Sequence, residues 1–582
     1  MASTAPSGLI SGRAEATRFW SPTHARRASP LDLLGLLLLG VFVLAVFLDK
    51  PHVLPRSETV LNLSPALLPL YALYSLLRML AAYALSVGFA FVSGSWAASS
   101  TTARRFILPG LDILQSVPIL GFFPAAVFFF IRLFRGSPLG VEAAAVFLIF
   151  TSQAWNLAFS VYESLTTIPA DLSTAVRVAG AKGPVLWRRL LFPACLPRLA
   201  YNSMLSWAAG WYFLIASEVI TVGRQTHTLP GLGSYIGEAI GLGRFGLATA
   251  GIATLAGVIT FLSFAVWSPL EFWSHQFRYE YSSRSQEGSQ PIAFSLLARA
   301  PLFRRTWVRL VNGLGGALGF LGALVTHLLT LAVSRFLFGL ALLAGVGLLA
   351  YGGVRTVVVL WRPLPPAAYA IPGALLASFF RLLAAYAISL AWTIPFAYWI
   401  SRSAQRTARV LPIVQVLASM PATAFFPLIV AAVLGLRLSM NVAAVALILT
   451  GMQWYLLFNL VAGAQAMPSD LRELAAATGV RGGLFLRRFF LPVAMPSLIT
   501  GSITAWGGGW NALVISEAVT AGGKTYSVNG IGSILDQATY VDGDLQMIAL
   551  TIVSMVLLIM LLNRSVWRPL FRRVSERYRL EY

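Results

Sequence analysis

Apolar runs of roughly twenty residues, each closed by a short polar or basic segment, recur along the whole chain. The first six are Leu31–Leu48, Pro65–Ser93, Phe106–Ile131, Val141–Tyr162, Leu199–Val222 and Phe245–Trp267. Each is continuous rather than alternating, which predicts membrane-crossing helices and excludes a transmembrane β-barrel. Arginines lie ahead of the first run (Arg13, Arg18, Arg26, Arg27), as in a signal peptide. No small-residue cleavage site follows it, so the run reads as a first crossing with its N-terminus inside. Between the runs, Gly94–Arg105 ends in two arginines and reads as inside, whereas the Gly-rich Gly223–Arg244 reads as outside.

The same order then repeats. Arg78-Met-Leu-Ala-Ala-Tyr-Ala returns 303 positions later as Arg381-Leu-Leu-Ala-Ala-Tyr-Ala, and Ser116-Val-Pro118 returns as Ser419-Met-Pro421. Beyond a short length difference the offset becomes 299. It then holds for Trp155 and Trp454, Gly180 and Gly479, the Arg188-Arg189 and Arg487-Arg488 pairs, and Gly231-Leu-Gly-Ser and Gly530-Ile-Gly-Ser. An even number of crossings per copy makes the copies parallel rather than inverted. The predicted fold is an all-α integral membrane protein of two tandem six-helix repeats, about twelve helices in total. The expected halves are residues 1–290 and 291–582, joined by polar Ser282–Pro291 and basic Arg299–Arg309. Gly313–Trp361 is longer than one crossing requires. Alignment of the halves assigns the crossing to Arg335–Tyr351 and leaves Gly313–Val333 interfacial.

Composition narrows the class. Of 582 residues 57% are apolar and only 11% charged, and the mean hydropathy is +0.75. The net charge of +22 comes from lysines and arginines in short loops, the distribution of a positive-inside membrane protein rather than a nucleic-acid binder. Cys195 is the single cysteine and the five histidines are scattered, so neither a disulfide framework nor a metal site is expected. AVTAGGKT at Ala518–Thr525 approaches a phosphate-binding loop but has Ala518 in place of the first glycine, and no strand is expected before it. No catalytic residue and no bound cofactor are expected in this chain.

One stretch is charged and helix-forming amid the apolar sequence: Pro468–Pro496, with Glu473, then Gly479, then Phe489 and Leu491-Pro492. It recurs as Pro169–Pro197. Its spacing resembles the EAA signature of bacterial ABC importer permeases. Ala154-Trp155-Asn156, Ser164–Leu172 and Asn202–Trp207 through Trp211 to Glu218 are similar to the nitrate/sulfonate/taurine/bicarbonate branch of that family. The resemblance implies that helices at Ala170–Ala181 and Ser469–Val480 dock onto cytoplasmic ATPases. The docking residues would be Asp171, Thr174, Ala175 and Gly180 in one copy, and Asp470, Glu473, Ala475 and Gly479 in the other. An aspartate near each helix start suits the helix dipole, and each glycine allows a sharp turn. Thr174 stands where the other copy has Glu473, so the two docking contacts are expected to be unequal.

The resemblance further implies two copies of an ATPase subunit carrying ATP and magnesium, and a periplasmic or lipid-anchored binding protein. It places the chain in a bacterial inner membrane, with both termini and both loops cytoplasmic, and implies a small anion such as nitrate, a sulfonate or bicarbonate. Two alternatives stay open: an iron(III)- or phosphonate-type permease, and a twelve-helix secondary transporter driven by an ion gradient.

Charge inside a crossing is costly and marks candidates. Arg78 and Arg381 recur in the second crossing of each half, and Glu218 and Glu517 near the outer end of the fifth. They either pair within each half or face the pathway and attract an anion. Trp207 and Trp211, like Trp506 and Trp510, share a helix face and either line the pathway or pack between helices. Gly507–Gly509 predict a close helix approach.

Overall fold

A computed structural model describes residues 61–277 and 358–577, with breaks at 117–118, 120–126, 128, 136, 181–182, 223–224, 275–276, 359–360, 362, 466, 468 and 522–523. The expected crossings at 31–48 and 335–351, the interfacial segment 313–333 and the joint between the halves lie outside these residues. In the first half, α1 is Leu68–Ser99, α2 Thr101–Ser116, α3 Pro138–Thr166, α4 Ala170–Val178 and α5 Phe192–Glu218. A hairpin of β1 (Val219–Val222) and β2 (Gln225–Thr228) follows, then α6 (Leu232–Gly241) and α7 (Phe245–Leu262).

The second half repeats the order. It comprises α8 (Ile371–Ser401), α9 (Ala404–Ser419), α10 (Phe426–Gly435), α11 (Met440–Gln465), α12 (Ser469–Ala477) and α13 (Leu491–Ser516). A second hairpin of β3 (Ala518–Ala521) and β4 (Lys524–Ser527) precedes α14 (Ile531–Asp536), α15 (Leu545–Leu562) and α16 (Arg568–Arg577). Among the described residues, seven helical runs are long and apolar enough to cross a membrane: 65–99, 138–166, 245–271, 366–401, 440–465, 482–516 and 546–574.

In each half the helix pairs α1–α3 and α3–α5, or α8–α11 and α11–α13, form the central packing. Helices in lipid gain little from apolar contact alone, so close approach rests on small residues. A Cβ on Gly508 of α13 would lie 2.5 Å from the Gly451 carbonyl oxygen of α11. Gly509 packs as closely against Met452, whereas Gly507 faces open space, so two of the three expected glycines make the contact.

Three expectations need correction. The third crossing of the second half is not one helix. In the second half α9 ends at Ser419, and Met420 turns extended (φ −70°, ψ 125°) because the following Pro421 disfavours helical geometry before it. A short 3₁₀ turn at Ala422–Phe425 then leads into α10. The fifth crossing ends at Glu218 rather than Val222, because Val219–Val222 pairs with Gln225–Thr228 as an antiparallel hairpin. As expected, no strand precedes AVTAGGKT: α13 leads into it, and the stretch itself forms the hairpin, Ala518 pairing Ser527 and Ala521 pairing Lys524. A hairpin differs from the strand-to-helix turn of a phosphate-binding loop. The charged-loop helices are also shorter than expected, ending at Val178 and Ala477.

Candidate functional site

The ionisable residues inside the crossings fold into a matched cluster in each half. Arg78 of α1 donates to Glu218 of α5 at 2.9 Å, and Arg381 of α8 donates to Glu517 at 2.7 Å. Both glutamates are fully buried. One oxygen of Glu218 also accepts the Ser75 hydroxyl at 2.5 Å, and the other accepts the Gly233 N–H at 2.6 Å. Glu517 takes the same donors, Ser378 at 2.6 Å and Gly532 N–H at 2.7 Å. The serine hydroxyls then accept the N–H groups of Leu232 and Ile531, each at 2.9 Å. A buried carboxylate is tolerable only when charge and hydrogen bonds compensate it, and here all the partners are supplied.

This geometry explains the repeated Gly-Leu/Ile-Gly-Ser. A Cβ at Gly231 would come within 2.2 Å of a Glu218 oxygen, and one at Gly530 within 2.2 Å of a Glu517 oxygen. Only glycine lets the backbone come so close to the carboxylate. The clusters thus tie the starts of α6 and α14 to the central helices.

The clusters differ in charge. Arg78 also grips Glu142 of α3 with two bonds of 2.7 Å. At the equivalent position Arg381 meets neutral Asn441 at 2.8 Å. The first cluster therefore carries one positive and two negative side chains, and the second one of each.

Trp207 and Trp506 lie in aromatic triads of their own halves. Trp207 has ring centroids 5.5 Å from Tyr83 and 5.4 Å from Trp267, and Trp506 lies 5.8 Å from Tyr386 and 5.7 Å from Trp567. Tyr83 and Tyr386 each donate to a serine on the fifth crossing, Ser203 and Ser502, at 2.8 Å. Trp211 and Trp510 are 0% and 2% exposed. The tryptophans are engaged by packing, the indole N–H groups of Trp207, Trp211 and Trp506 having no hydrogen-bond partner among the described residues, and the Arg–Glu pairs by hydrogen bonds within each half.

A different set joins the halves. The Thr423 hydroxyl donates to the Tyr212 carbonyl at 3.3 Å, and the Tyr212 ring meets Phe426 at 6.5 Å. From the other side, the Ile119 N–H donates to Asn511 Oδ1 at 2.7 Å. Tyr212 and Asn511 are equivalent positions, 299 residues apart on α5 and α13. Each touches the opposite half, Tyr212 at the turn between α9 and α10 and Asn511 at Ile119, so equivalent positions contribute to the seam through unlike residues. The Tyr212 hydroxyl is buried with no hydrogen-bond partner among the described residues, as is the side-chain amide of Gln153, which lies against Gly210. Sequence reasoning passed over Tyr212, Asn511, Thr423 and Gln153. The break at Pro421 was the one signal that pointed near them.

In the charged loops, Asp171 stands in the first turn of α4, and Thr174, Ala175 and Gly180 are exposed. In the second copy Asp470 falls in the first turn of α12, Glu473 and Gly479 are exposed, and Ala475 is buried. Ala475 aligns with Val176 rather than Ala175. Gly180 and Gly479 have φ of +78° and +66°, the left-handed conformation that glycine adopts without penalty. At Gly479 the Val480 N–H donates back to the Ala475 carbonyl at 3.0 Å, closing α12 with a Schellman turn. Beyond each glycine a π-helical turn, Trp187–Leu191 or Leu486–Phe490, runs without a break into α5 or α13.

Residues 87–268 and 394–575 each match the family described as the binding-protein-dependent transport system inner membrane component. Over 178 residues the chain is 27% identical to a probable ABC transporter permease of Brucella melitensis, covering 30% of this chain and 68% of that protein. A nitrate import permease of Leptolyngbya laminosa is 30% identical over 155 residues, 27% of this chain and 52% of the relative. A bicarbonate transport permease of Synechocystis is 24% identical over 241 residues, 38% and 80% of the two chains. With two such matches spanning most of its length, and the matched helical order in both, this chain belongs to the binding-protein-dependent ABC importer permeases, two copies of the family domain fused in one polypeptide.

Proposed function

We propose that the chain forms the whole translocation pathway of an ATP-driven importer for a small anion, with partner ATPases docking on α4 and α12. The observation that carries this reading is the duplicated loop helix, each copy ending near a left-handed glycine, with the helical turn that comes after it continuous with a fifth crossing. That continuity supplies a mechanism. Movement of α4 passes through the Gly180 turn and the π-helical turn into α5, and movement of α12 passes likewise into α13. From Leu191 to Tyr212 the helix extends roughly 30 Å, so a tilt at its base is delivered to the seam. Tyr212 and Asn511 stand where the halves meet, and opening that seam alternately to each side is the transport step.

The Arg–Glu clusters act in this account as fixed anchors of α6 and α14, and the seam as the moving part. A small anion is the solute class because the similar permeases of cyanobacteria are named for nitrate and bicarbonate. A zwitterionic solute is the second reading, since a glycine betaine permease of Bacillus subtilis is 27% identical over 168 residues. The test is uptake of labelled nitrate, bicarbonate and glycine betaine into proteoliposomes holding the chain with its ATPase and binding protein. Uptake of an anion that requires ATP and survives an ionophore supports the proposal. Uptake that needs no ATP and collapses with the ion gradient overturns it in favour of a secondary transporter.

A further inference from the structure

A cavity of about 250 Å³ opens behind the loop of the second half, where the ends of three crossings meet. It lies between the end of α8 (Tyr398, Ser401, Arg402), the end of α11 and the segment from Val480 to Phe490. Part of its lining is aromatic: Tyr398 packs against Phe490 at 5.5 Å and Phe485 at 6.2 Å. Its polar side chains include two arginines and a serine, while the Tyr398 hydroxyl donates to the Gly482 carbonyl at 3.2 Å. Arg402 lies with its guanidinium 5.7 Å from the centre of the Tyr398 ring, Arg481 also lines the cavity, and the Ser401 hydroxyl is buried with no partner among the described residues. Neither arginine has a carboxylate within ion-pair distance among the described residues.

We infer that this cavity binds a phosphate group, either of an anionic phospholipid or of a free phosphate, and that it does so in the second half alone. Two arginines and an unpartnered hydroxyl lining one space suit a tetrahedral oxyanion, since arginine binds phosphate through paired N–H bonds. The level in the membrane supports the class: Ser401 ends one crossing, Gln465 another, and Gly482 begins a third, which puts the cavity at headgroup depth. The first half lacks the equipment. At the equivalent positions it has Ser95, Ala98 and Ser99 for Tyr398, Ser401 and Arg402, and Lys182 for Arg481. Because Val480 and Gly482 flank the cavity immediately after the Gly479 turn, a bound phosphate also braces α12, and α4 has no such brace.

The inference rests on the docking reading only for the face of the membrane involved, and its test reads binding without ATP hydrolysis. The full chain with its ATPases is placed in nanodiscs of phosphatidylcholine, with or without phosphatidylglycerol. Native mass spectrometry counts retained phosphatidylglycerol, and equilibrium dialysis measures radiolabelled inorganic phosphate in the neutral discs. Arg402→Gln with Arg481→Gln should release one phosphatidylglycerol per chain, or weaken phosphate binding by about tenfold or more, while Arg402→Lys with Arg481→Lys retains most of it. Loss in the lipid arm alone names a headgroup, and loss in the phosphate arm names a free anion. Equal binding by wild type and the double glutamine variant in both arms overturns the inference. So does a variant that loses only its ATPase, which would make the cavity part of a protein interface.

Discussion

Arg78 joins Glu218 and Glu142, two carboxylates from different helices, whereas its counterpart Arg381 joins one carboxylate, Glu517, and the neutral Asn441. The same lock is thus built twice with different charge, and the difference sets the cost of breaking it. Removing one partner of a buried ion pair typically costs about 3–5 kcal/mol, because the other charge is stranded. Arg78→Ala strands two carboxylates and Arg381→Ala only one. Thermal unfolding in detergent should therefore show both variants destabilised, with Arg78→Ala the worse. Glu142→Gln should cost much less, on the order of 1 kcal/mol, since Glu142 is partly solvent-exposed. Equal melting temperatures for the two arginine variants would count against the asymmetry.

The glycines divide into two kinds with opposite expected behaviour. Gly231→Ala and Gly530→Ala drive a methyl group into the carboxylate of Glu218 or Glu517 and should disrupt the cluster outright. Gly180→Ala and Gly479→Ala meet no atom within 4 Å, so they bear only the left-handed backbone penalty of roughly 1–2 kcal/mol. Expression and monodispersity on size-exclusion chromatography separate the two classes. Loss of folded protein from the second pair would contradict it.

Both kinds of glycine were visible in the sequence as repeated marks, but only one reason was. A glycine closing a charged helix reads directly as a turn. Gly-Leu/Ile-Gly-Ser gave no local hint that a glutamate thirteen residues upstream needs that space, because the contact is tertiary. The duplication itself was plain, since prolines, tryptophans and paired arginines keep their spacing while the lipid-facing residues drift. The seam was hidden for the converse reason. Tyr212 and Asn511 are chemically unlike, so comparing the halves gives them no weight, and hydropathy cannot show where a crossing is broken into two short helices. The strands flanking Gly522 and Gly523 were missed because four-residue pairs carry too little pattern to stand out between apolar helices.

At the seam, Tyr212→Phe removes a hydroxyl that has no partner among the described residues. Leaving such a group buried is costly, so the variant should be as stable as wild type or slightly more so, by up to about 1–3 kcal/mol. If the hydroxyl instead serves the solute, the same variant should show reduced uptake at unchanged stability. Asn511→Ala, which removes the acceptor for Ile119 N–H, should lose stability. Melting curves run beside uptake assays distinguish these effects, and a destabilised Tyr212→Phe would refute the assignment.

Asp536, at the end of α14 and outside the crossings, has its carboxyl pushed by burial up to about 6. An unfolded aspartate titrates near 4, so the fold favours the protonated form. The sign follows: protonation contributes stability that is full below about pH 4 and lost as pH rises through about 6. Asp536→Asn should keep that stability at neutral pH. The difference in melting temperature between variant and wild type should be largest at pH 7 and shrink toward pH 4. A difference independent of pH would show that Asp536 does not titrate in this range.

The central claim is that two loop helices of one chain receive ATPases and drive one seam. The most direct measurement is ATP hydrolysis by the purified complex in lipid, for wild type and for Gly180→Arg and Gly479→Arg. Each substitution should reduce hydrolysis severalfold or release the ATPase while the membrane chain stays folded, with the stronger effect at Gly479, beside Glu473. Hydrolysis and ATPase retention unchanged in both variants would contradict the account.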